Sequence, residues 1–298
     1  MSLYLRCGGL TEENTKVEVG KPGYGNPVHV WLRFIRPVNG FMGLFATWIS
    51  AFIGKGTGLV HFVVPVAVAS AVVFLVTSGG NIINDITDIE TDRINHPERP
   101  LVTGSISRGQ ARAAAAALFV IPVVLSAVFL PPLSTLIVLL AEALLILYEA
   151  RTKRLGLTGN ISISALVGLI FIFGGLAVGS PEKMVILFLM AFLANLSREL
   201  IKGVEDIKGD RDRQTFPKRY GVGATQALVA SCIALAVGLS SLPYLLHLLN
   251  LFYVPVVVVS DALFVFSAVG ISRDTHRKQQ ISKLAMIVGL ASFVVGGI

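Results

Sequence analysis

Nine apolar segments run through the sequence, and each is about as long as a helix that spans a bilayer. A helix needs about 20 consecutive apolar residues to cross the hydrocarbon core of a membrane. Short turn-forming stretches such as Gly54-Lys55-Gly56 and Pro131-Pro132 separate the segments. The segments are residues 37–54, 60–83, 112–130, 132–150, 159–179, 183–203, 222–242, 249–270 and 281–298. This pattern predicts an all-α membrane protein with nine transmembrane helices.

The composition excludes a soluble enzyme. Of the 298 residues, 54% are hydrophobic and only 14% are charged, whereas a soluble domain carries about 25% charged residues. So few charges cannot cover the surface of a soluble domain, and so many apolar residues exclude a disordered chain. The two cysteines, Cys7 and Cys232, are too few for a disulfide framework.

The first 27 residues are polar and contain several glycines and prolines. They lack the basic start and apolar core of a secretory signal peptide, so we expect a flexible cytoplasmic leader over residues 1–27. The remainder, residues 28–298, is predicted to form a single transmembrane domain without a second soluble domain.

The basic residues indicate how the chain crosses the membrane. All but two of the 25 lysine and arginine residues lie before the first span or near alternate connections between spans. Only Lys55 and Lys183 fall in the other set of connections. Because basic residues concentrate on the cytoplasmic side, we expect a multi-pass protein of the cell membrane with its N-terminus in the cytoplasm and its C-terminus outside. The net charge of +7 therefore indicates membrane topology rather than nucleic-acid binding.

A first acidic cluster closes the second apolar segment. Asn84, Asp85, Asp88 and Asp92 fall within an arc of about 100° if the helix continues through them at 3.6 residues per turn. Crowded carboxylates repel one another unless cations lie between them. Oxygen ligands suit Mg²⁺, which typically binds one or two carboxylates together with substrate phosphates.

A second acidic cluster closes the sixth segment. Glu199, Asp206 and Asp210 share a helix face with Lys202 and Arg213 between them. A solvated helix end would explain one such cluster, but the topology puts both on the cytoplasmic side. Two acidic helix ends facing each other would hold two Mg²⁺ ions and a diphosphate, whose remaining charge nearby bases would neutralise.

The two clusters resemble the motifs of a known family. The first reads N-D-x-x-D-x-x-x-D over residues 84–92 and the second D-x-x-x-D over residues 206–210. This pair, four helices apart, resembles the UbiA superfamily of intramembrane prenyltransferases, and Tyr148 and Lys153 match its Y-x-x-x-x-K element. The phrases GNIINDITDIETDRINHPERPL, SRELIKGVEDIKGD, FIFGGLAVG and SDALFVFS are similar to its archaeal branch that makes digeranylgeranylglyceryl phosphate.

The resemblance implies nine transmembrane helices around a central cavity, with both motifs under a cytoplasmic cap. Two Mg²⁺ ions would bridge the motifs to a polyprenyl diphosphate donor, Lys153 would contact the diphosphate, and Tyr148 would line the pocket near the reacting carbon. The implied metal ligands are Asn84, Asp88 and Asp92, with Asp85 beside them, and Asp206 and Asp210. The sequence departs from the family pattern at Lys202 and Gly203, where relatives often carry an acidic or amide side chain.

The same resemblance implies Mg²⁺-dependent transfer of a geranylgeranyl group to the free hydroxyl of geranylgeranylglyceryl phosphate. The candidate cations for the phosphate of this lipid acceptor are Arg36, Arg99, Lys202, Lys218 and Arg219. An aromatic acceptor, such as 4-hydroxybenzoate or a quinone precursor, is the nearest alternative. A secondary transporter fits less well, because it would place ionisable residues near mid-membrane. A CDP-alcohol phosphotransferase is disfavoured because Ile89-Glu90-Thr91 follows Asp88 where its motif needs Gly and Ala-Arg.

Two further acids lie inside apolar segments. Glu142 and Asp261 are ionisable residues at positions where the surrounding sequence is hydrophobic. Such residues in a membrane indicate a functional site by default, but a structural hydrogen bond inside the bundle explains them equally well.

Overall fold

A computed structural model describes residues 26–208 and 214–297, and within these ranges the fold is all-helical. The α-helices are α1 (Pro27–Ile35), α2 (Pro37–Lys55), α3 (Val63–Thr87), α4 (Ile89–Asn95), α5 (Arg108–Phe129), α6 (Pro132–Ala150), α7 (Leu157–Ala177), α8 (Val185–Glu205), α9 (Phe216–Ser240), α10 (Leu242–Leu245), α11 (Tyr253–Ala268) and α12 (Thr275–Gly297). Short 3-10 helices cover Gly56–Phe62, Thr152–Arg154, Pro181–Met184 and Asp206–Lys208. The predicted leader lies almost entirely outside the described residues.

Seven helical stretches of the described chain are long and apolar enough to cross a membrane. One of them, Pro37–Thr87, contains both α2 and α3, and the shorter apolar helix Tyr253–Ala268 adds to the seven. The predicted all-α, multi-pass membrane class is therefore confirmed. The count of nine crossings and the sides on which the termini lie stay predictions.

The long helices form a ring, across which α2 also packs against α7 and α8 against α12. Each contacts the next along the chain, in the order α2, α3, α5, α6, α7, α8, α9, α11 and α12, and α12 returns to α2. Apolar clusters fill the contacts between neighbours: one joins α2, α3, α6 and α7, and another joins α8, α9, α11 and α12. Large apolar side chains such as Val120, Val124 and Val128 face outwards, as expected where lipid surrounds the bundle.

The contact between α2 and α7 is close enough to need glycine. A Cβ atom added at Gly174 would lie 2.7 Å from the carbonyl oxygen of Thr47 and 2.8 Å from Cβ of Ser50. The hydroxyl of Ser50 donates to the carbonyl oxygen of Phe171 across the same contact. Small residues that let helix backbones approach are a common device in membrane bundles.

Helix α1 leads into the bundle. Its Phe34 is fully buried, and the ring of Trp31 meets that of Phe34 edge-on at 5.8 Å. Val28 and Leu32 are exposed, so the helix presents the apolar surface typical of a helix at a membrane interface. Arg36 follows in the left-handed conformation, with φ at 50°, and turns the chain into α2.

Both acidic helix ends differ from the continuous helices that the sequence pattern predicts. Helix α3 ends at Thr87, Asp88 adopts a non-helical conformation (φ −96°, ψ 9°), and Asp92 belongs to α4. The bonds from the Asp88 N–H to the Asn84 carbonyl (3.0 Å) and from the Asp92 N–H to the Asp88 carbonyl (2.8 Å) keep the helical spacing through the break. Similarly, α8 ends at Glu205 and Asp206 starts a 3-10 turn. Asp and Asn compete with helical hydrogen bonding, which favours helix ends at such positions.

Candidate active site

A cavity of about 750 Å³ lies within the helix ring. Most of its wall is apolar, with residues such as Val72, Ile137 and Phe171. Polar side chains near the ends of α2, α3, α6 and α8 also line the cavity on the side of the two acidic motifs. They are Arg36, Asn39, Asn81, Asn84, Tyr148, Glu149, Asn195, Arg198, Glu199 and Lys202. A long apolar space with polar groups next to the acidic motifs suits a lipid that carries a charged head group.

Two arginines compensate the buried acids of the first motif. Asp85 is 2% exposed and accepts hydrogen bonds from Arg36 and, at 3.2 Å, from Arg99. The same Arg99 guanidinium also donates to Asp92, which is 4% exposed. Because a carboxylate is expensive to bury without a partner, these ion pairs explain how both acids can lie inside the protein.

Asp88 belongs to a second network centred on Lys153. The Lys153 ammonium lies 2.6 Å from Oδ2 of Asp88 and 2.9 Å from Oε2 of Glu149. Glu149 also accepts hydrogen bonds of 2.9 Å from Nδ2 of Asn84 and from Oγ1 of Thr87. The network joins the end of α3 to the end of α6, and its members carry two negative charges against one positive charge.

Glu149 is the main residue of this site that the sequence pattern does not reveal. Its partners Asn84 and Thr87 are more than 60 positions away in the chain, so no local pattern reveals them. The i,i+4 spacing of Glu149 and Lys153 at a helix end was the available signal. Tyr148 precedes Glu149, lines the cavity, and places its ring centroid 6.0 Å from Nζ of Lys153.

The second motif is described only in part. Asp206 follows the last turn of α8, whereas Asp210 lies outside the described residues. Glu199 lies about two turns before Asp206 on α8. It lines the cavity and accepts a hydrogen bond from Arg198. Glu205 pairs with His276 at 2.8 Å.

The cations predicted to bind phosphate fall into three groups. Arg36 and Arg99 are engaged by the acids of the first motif. Lys202 is exposed and lines the cavity. Lys218 and Arg219 lie in the first turn of α9, away from the described cavity lining, and the Arg219 guanidinium lies 5.3 Å from the ring centroid of Tyr220.

The donor chemistry of the first motif fits Mg²⁺. Within the described ranges, no group of three or more histidine, cysteine, aspartate or glutamate side chains is arranged to hold a metal. The carboxylates of this motif are instead paired with Arg36, Arg99 and Lys153. Mg²⁺ needs only one or two protein carboxylates and completes its shell with phosphate oxygens and water, and Asn84 and Asp88 offer oxygens for that role.

The two acids within the apolar helices have different surroundings. Oδ2 of Asp261 accepts a 2.7 Å hydrogen bond from Ser240, and Asp261 also lines the cavity. Glu142 is buried in α6, and its Oε1 has no hydrogen-bond partner among the described residues. Asp261 therefore forms a hydrogen bond inside the bundle, which is one of the two explanations given above for an acid in an apolar segment.

Comparison with curated proteins agrees with the motifs. The family model described as the UbiA prenyltransferase family matches residues 43–291. A digeranylgeranylglyceryl phosphate synthase of Methanothermobacter thermautotrophicus is 36% identical over 273 residues, which cover 89% of this chain and 95% of the relative. The similarity therefore extends over nearly the whole length of both proteins.

Solved structures share the fold. One from work on digeranylgeranylglyceryl phosphate synthase in membranes superposes with a TM-score of 0.79 at 31% identity, covering 91% of this chain and 99% of its own. A UbiA homologue from Archaeoglobus fulgidus, bound to DMAPP and Mg²⁺, has a TM-score of 0.63 at 19% identity and covers 89% of this chain and 99% of its own. With its motifs, helical ring and family match in agreement, the chain belongs to the UbiA prenyltransferase family.

Proposed function

We propose that the protein transfers a geranylgeranyl group from geranylgeranyl diphosphate to the free hydroxyl of geranylgeranylglyceryl phosphate and releases diphosphate, a step of archaeal ether-lipid synthesis. The observation that carries the reaction class is one cavity in which Asn84, Tyr148 and Glu149 adjoin a long apolar wall. The choice of acceptor rests on the similarity to a digeranylgeranylglyceryl phosphate synthase over 95% of that protein.

The first motif and Lys153 are proposed to bind the diphosphate of the donor. A lysine ammonium has three N–H donors, and two of them point to Asp88 and Glu149, which leaves the third for a phosphate oxygen. Two Mg²⁺ ions, held by Asn84, Asp88 and Asp92 and by Asp206 and Asp210, would supply Lewis-acid neutralisation of the leaving group.

The apolar wall is proposed to protect the reacting carbon. When the bond between the allylic carbon and the diphosphate oxygen breaks, the electron pair leaves with the diphosphate and the prenyl carbon becomes cationic. Water would capture that cation, so a dry wall favours the transfer. The ring of Tyr148 lines the cavity close to Lys153, where its π-face would stabilise positive charge.

The acceptor completes the transfer. The oxygen of its free hydroxyl forms the new carbon–oxygen ether bond, and its proton passes to the released diphosphate, so protonated diphosphate and the ether lipid are the products. The acceptor's own prenyl chain needs apolar space of the kind that the cavity supplies. An aromatic acceptor carries no such chain.

The orientation of the site is part of the proposal. The excess of basic residues beside one set of connections supports a cytoplasmic N-terminus, nine crossings and a site that opens towards the cytoplasm. A prenyl diphosphate made in the cytoplasm would then reach the acidic motifs without carrying its charge across the bilayer.

A two-acceptor assay tests the proposed function. Purified protein is incubated with geranylgeranyl diphosphate, Mg²⁺ and either geranylgeranylglyceryl phosphate or 4-hydroxybenzoate, and products are identified by mass spectrometry. We expect the doubly prenylated glyceryl phosphate from the first acceptor and little product from the second. Product from 4-hydroxybenzoate alone would replace the lipid acceptor with an aromatic one.

A further inference from the structure

Three cations line the cavity without belonging to the ion-pair networks of the first motif. Arg198 and Lys202 lie one turn apart on α8, and Lys283 lies on α12. The sequence pattern assigns Lys283 to a cytoplasmic connection, but α12 begins at Thr275. At 1.5 Å per residue, Lys283 therefore lies about 12 Å along the helix from its start.

Packing of α12 against α8 places Lys283 level with the other two cations. Near its middle, α12 contributes Ala285 to the apolar cluster that contains Leu200 and Ile201 of α8. Near its end, it contributes Phe293 to the cluster that contains Leu187. The two helices are thus antiparallel, and residues near 283 on α12 are level with those near 200 on α8.

On this part of the cavity wall the three cations lie with two acids, Glu199 and Asp261. Arg198 donates to Glu199 and, at 3.3 Å, to Asn195. Lys202 and Lys283 are exposed, and neither forms a hydrogen bond or ion pair with any residue that the structure describes. The other acid on this part of the wall, Asp261, accepts from Ser240. Lys283 ends the polar first part of α12 and lines the cavity, where a phosphate would pair with its charge.

We propose that Lys283, together with Arg198 and Lys202, binds the phosphate of the lipid acceptor on the α8–α12 wall of the cavity. This inference rests on the proposed function and separates the two phosphate groups along α8. The donor diphosphate lies between the two acidic motifs, beside Lys153, and the acceptor phosphate lies one to two turns of α8 before Asp206, between α8 and α12. Since the free hydroxyl of the acceptor is within two carbons of its phosphate, this anchoring turns the hydroxyl towards the donor.

The assignment changes the set of cations expected from sequence. Arg36 and Arg99 already neutralise Asp85, so they are less available for a second phosphate. Lys202 is retained, whereas Arg198 and Lys283 join it because the fold brings α8 and α12 together. A phosphate between an arginine and two lysines would receive several charge-assisted hydrogen bonds.

The test compares two acceptors in Lys283→Met. The first is geranylgeranylglyceryl phosphate, and the second is geranylgeranylglycerol, which lacks the phosphate. We expect the KM for the phosphate-bearing acceptor to rise about tenfold or more, as for loss of a charge-assisted hydrogen bond. The KM for geranylgeranyl diphosphate and the KM for geranylgeranylglycerol should stay within about twofold of wild type.

Three further variants complete the experiment. Lys283→Arg keeps the charge and should retain most of the affinity for the phosphate-bearing acceptor. Lys278→Met removes a lysine from the same helix whose ammonium donates to the carbonyl oxygen of Phe266, so it should leave the KM of both acceptors unchanged. Lys202→Met should repeat the selective effect if Lys283→Met does not fold.

The results distinguish failure of the proposed phosphate site from failure of the proposed prenyl-transfer function. If wild-type protein converts geranylgeranylglyceryl phosphate but Lys283→Met raises the KM of both acceptors equally, or of neither, Lys283 does not bind the phosphate and the inference is wrong. If wild-type protein does not convert geranylgeranylglyceryl phosphate at all, the proposed function fails first and the phosphate site falls with it.

Discussion

Asp85 and Asp88 lie three residues apart and meet different cations. Asp85 is almost fully buried between Arg36 and Arg99, which link the turn after α1 to the segment after α4. Asp88 is 20% exposed and shares Lys153 with Glu149. We therefore infer that the first carboxylate mainly stabilises the fold, and that the second lies beside Lys153 where a metal-bound diphosphate would bind.

Neutralising the two acids should have opposite consequences. Asp85→Asn leaves two arginines without their shared anion, so we expect the free energy of unfolding to fall by about 2 kcal/mol. Asp88→Asn leaves Lys153 paired with Glu149, so the fold should persist while kcat falls by about two to three orders of magnitude. Thermal unfolding in detergent and the prenyl-transfer assay measure the two effects.

Glu90→Gln serves as the control, because Glu90 is an exposed acid of the same region whose partner Arg93 is exposed too. Exposed ion pairs contribute little to stability, so this variant should match wild type in both measurements. An active Asp88→Asn enzyme, or an Asp85→Asn protein as stable as wild type, would contradict the separate roles given to the two acids.

The sequence predicts which helices are present better than it predicts the residues at which each helix begins and ends. The apolar segments identify all of the long helices, because span length and hydrophobicity are local properties. The break at Asp88 and the early start of α12 at Thr275 escape the pattern of apolar residues, since both lie in polar stretches of the sequence. The pairing of Glu149 with Asn84 is equally invisible, because it depends on how α6 packs against α3.

The contact between α2 and α7 gives a prediction about packing. Gly174→Leu would drive a side chain into the backbone of α2 at Thr47, so we expect it to lower the free energy of unfolding by about 3 kcal/mol. Gly238→Leu is the matched control, because a Cβ there meets no atom within 4 Å. Equal unfolding temperatures of the two variants in detergent would show that the helices are not in close contact.

For the whole molecule, the ring of helices separates two environments. Its outside is apolar and faces lipid, while its interior holds an apolar space next to charged networks. The acids of the first motif already have cationic partners in Arg36, Arg99 and Lys153. We therefore expect the bundle to fold without a bound metal, although the proposed chemistry needs one.

Removal of Mg²⁺ tests whether the protein needs the metal for activity but not for folding. With EDTA, we expect prenyl transfer to cease, while the unfolding temperature of the substrate-free protein changes by no more than about 3 °C. Restoring Mg²⁺ should restore activity. Transfer that continues in EDTA would exclude a metal-dependent reaction, and a large loss of thermal stability would show that the ion holds the acids in place.

The most direct measurement is an experimental structure of the protein with Mg²⁺ and an unreactive thio-analogue of geranylgeranyl diphosphate. We expect the diphosphate to contact Lys153, a metal ion to be bound by Asn84 and Asp88, and the prenyl chain to lie along the apolar wall near Ile137 and Phe171. A diphosphate bound away from Asp88 and Lys153, or a prenyl chain outside the helix ring, would contradict this expectation.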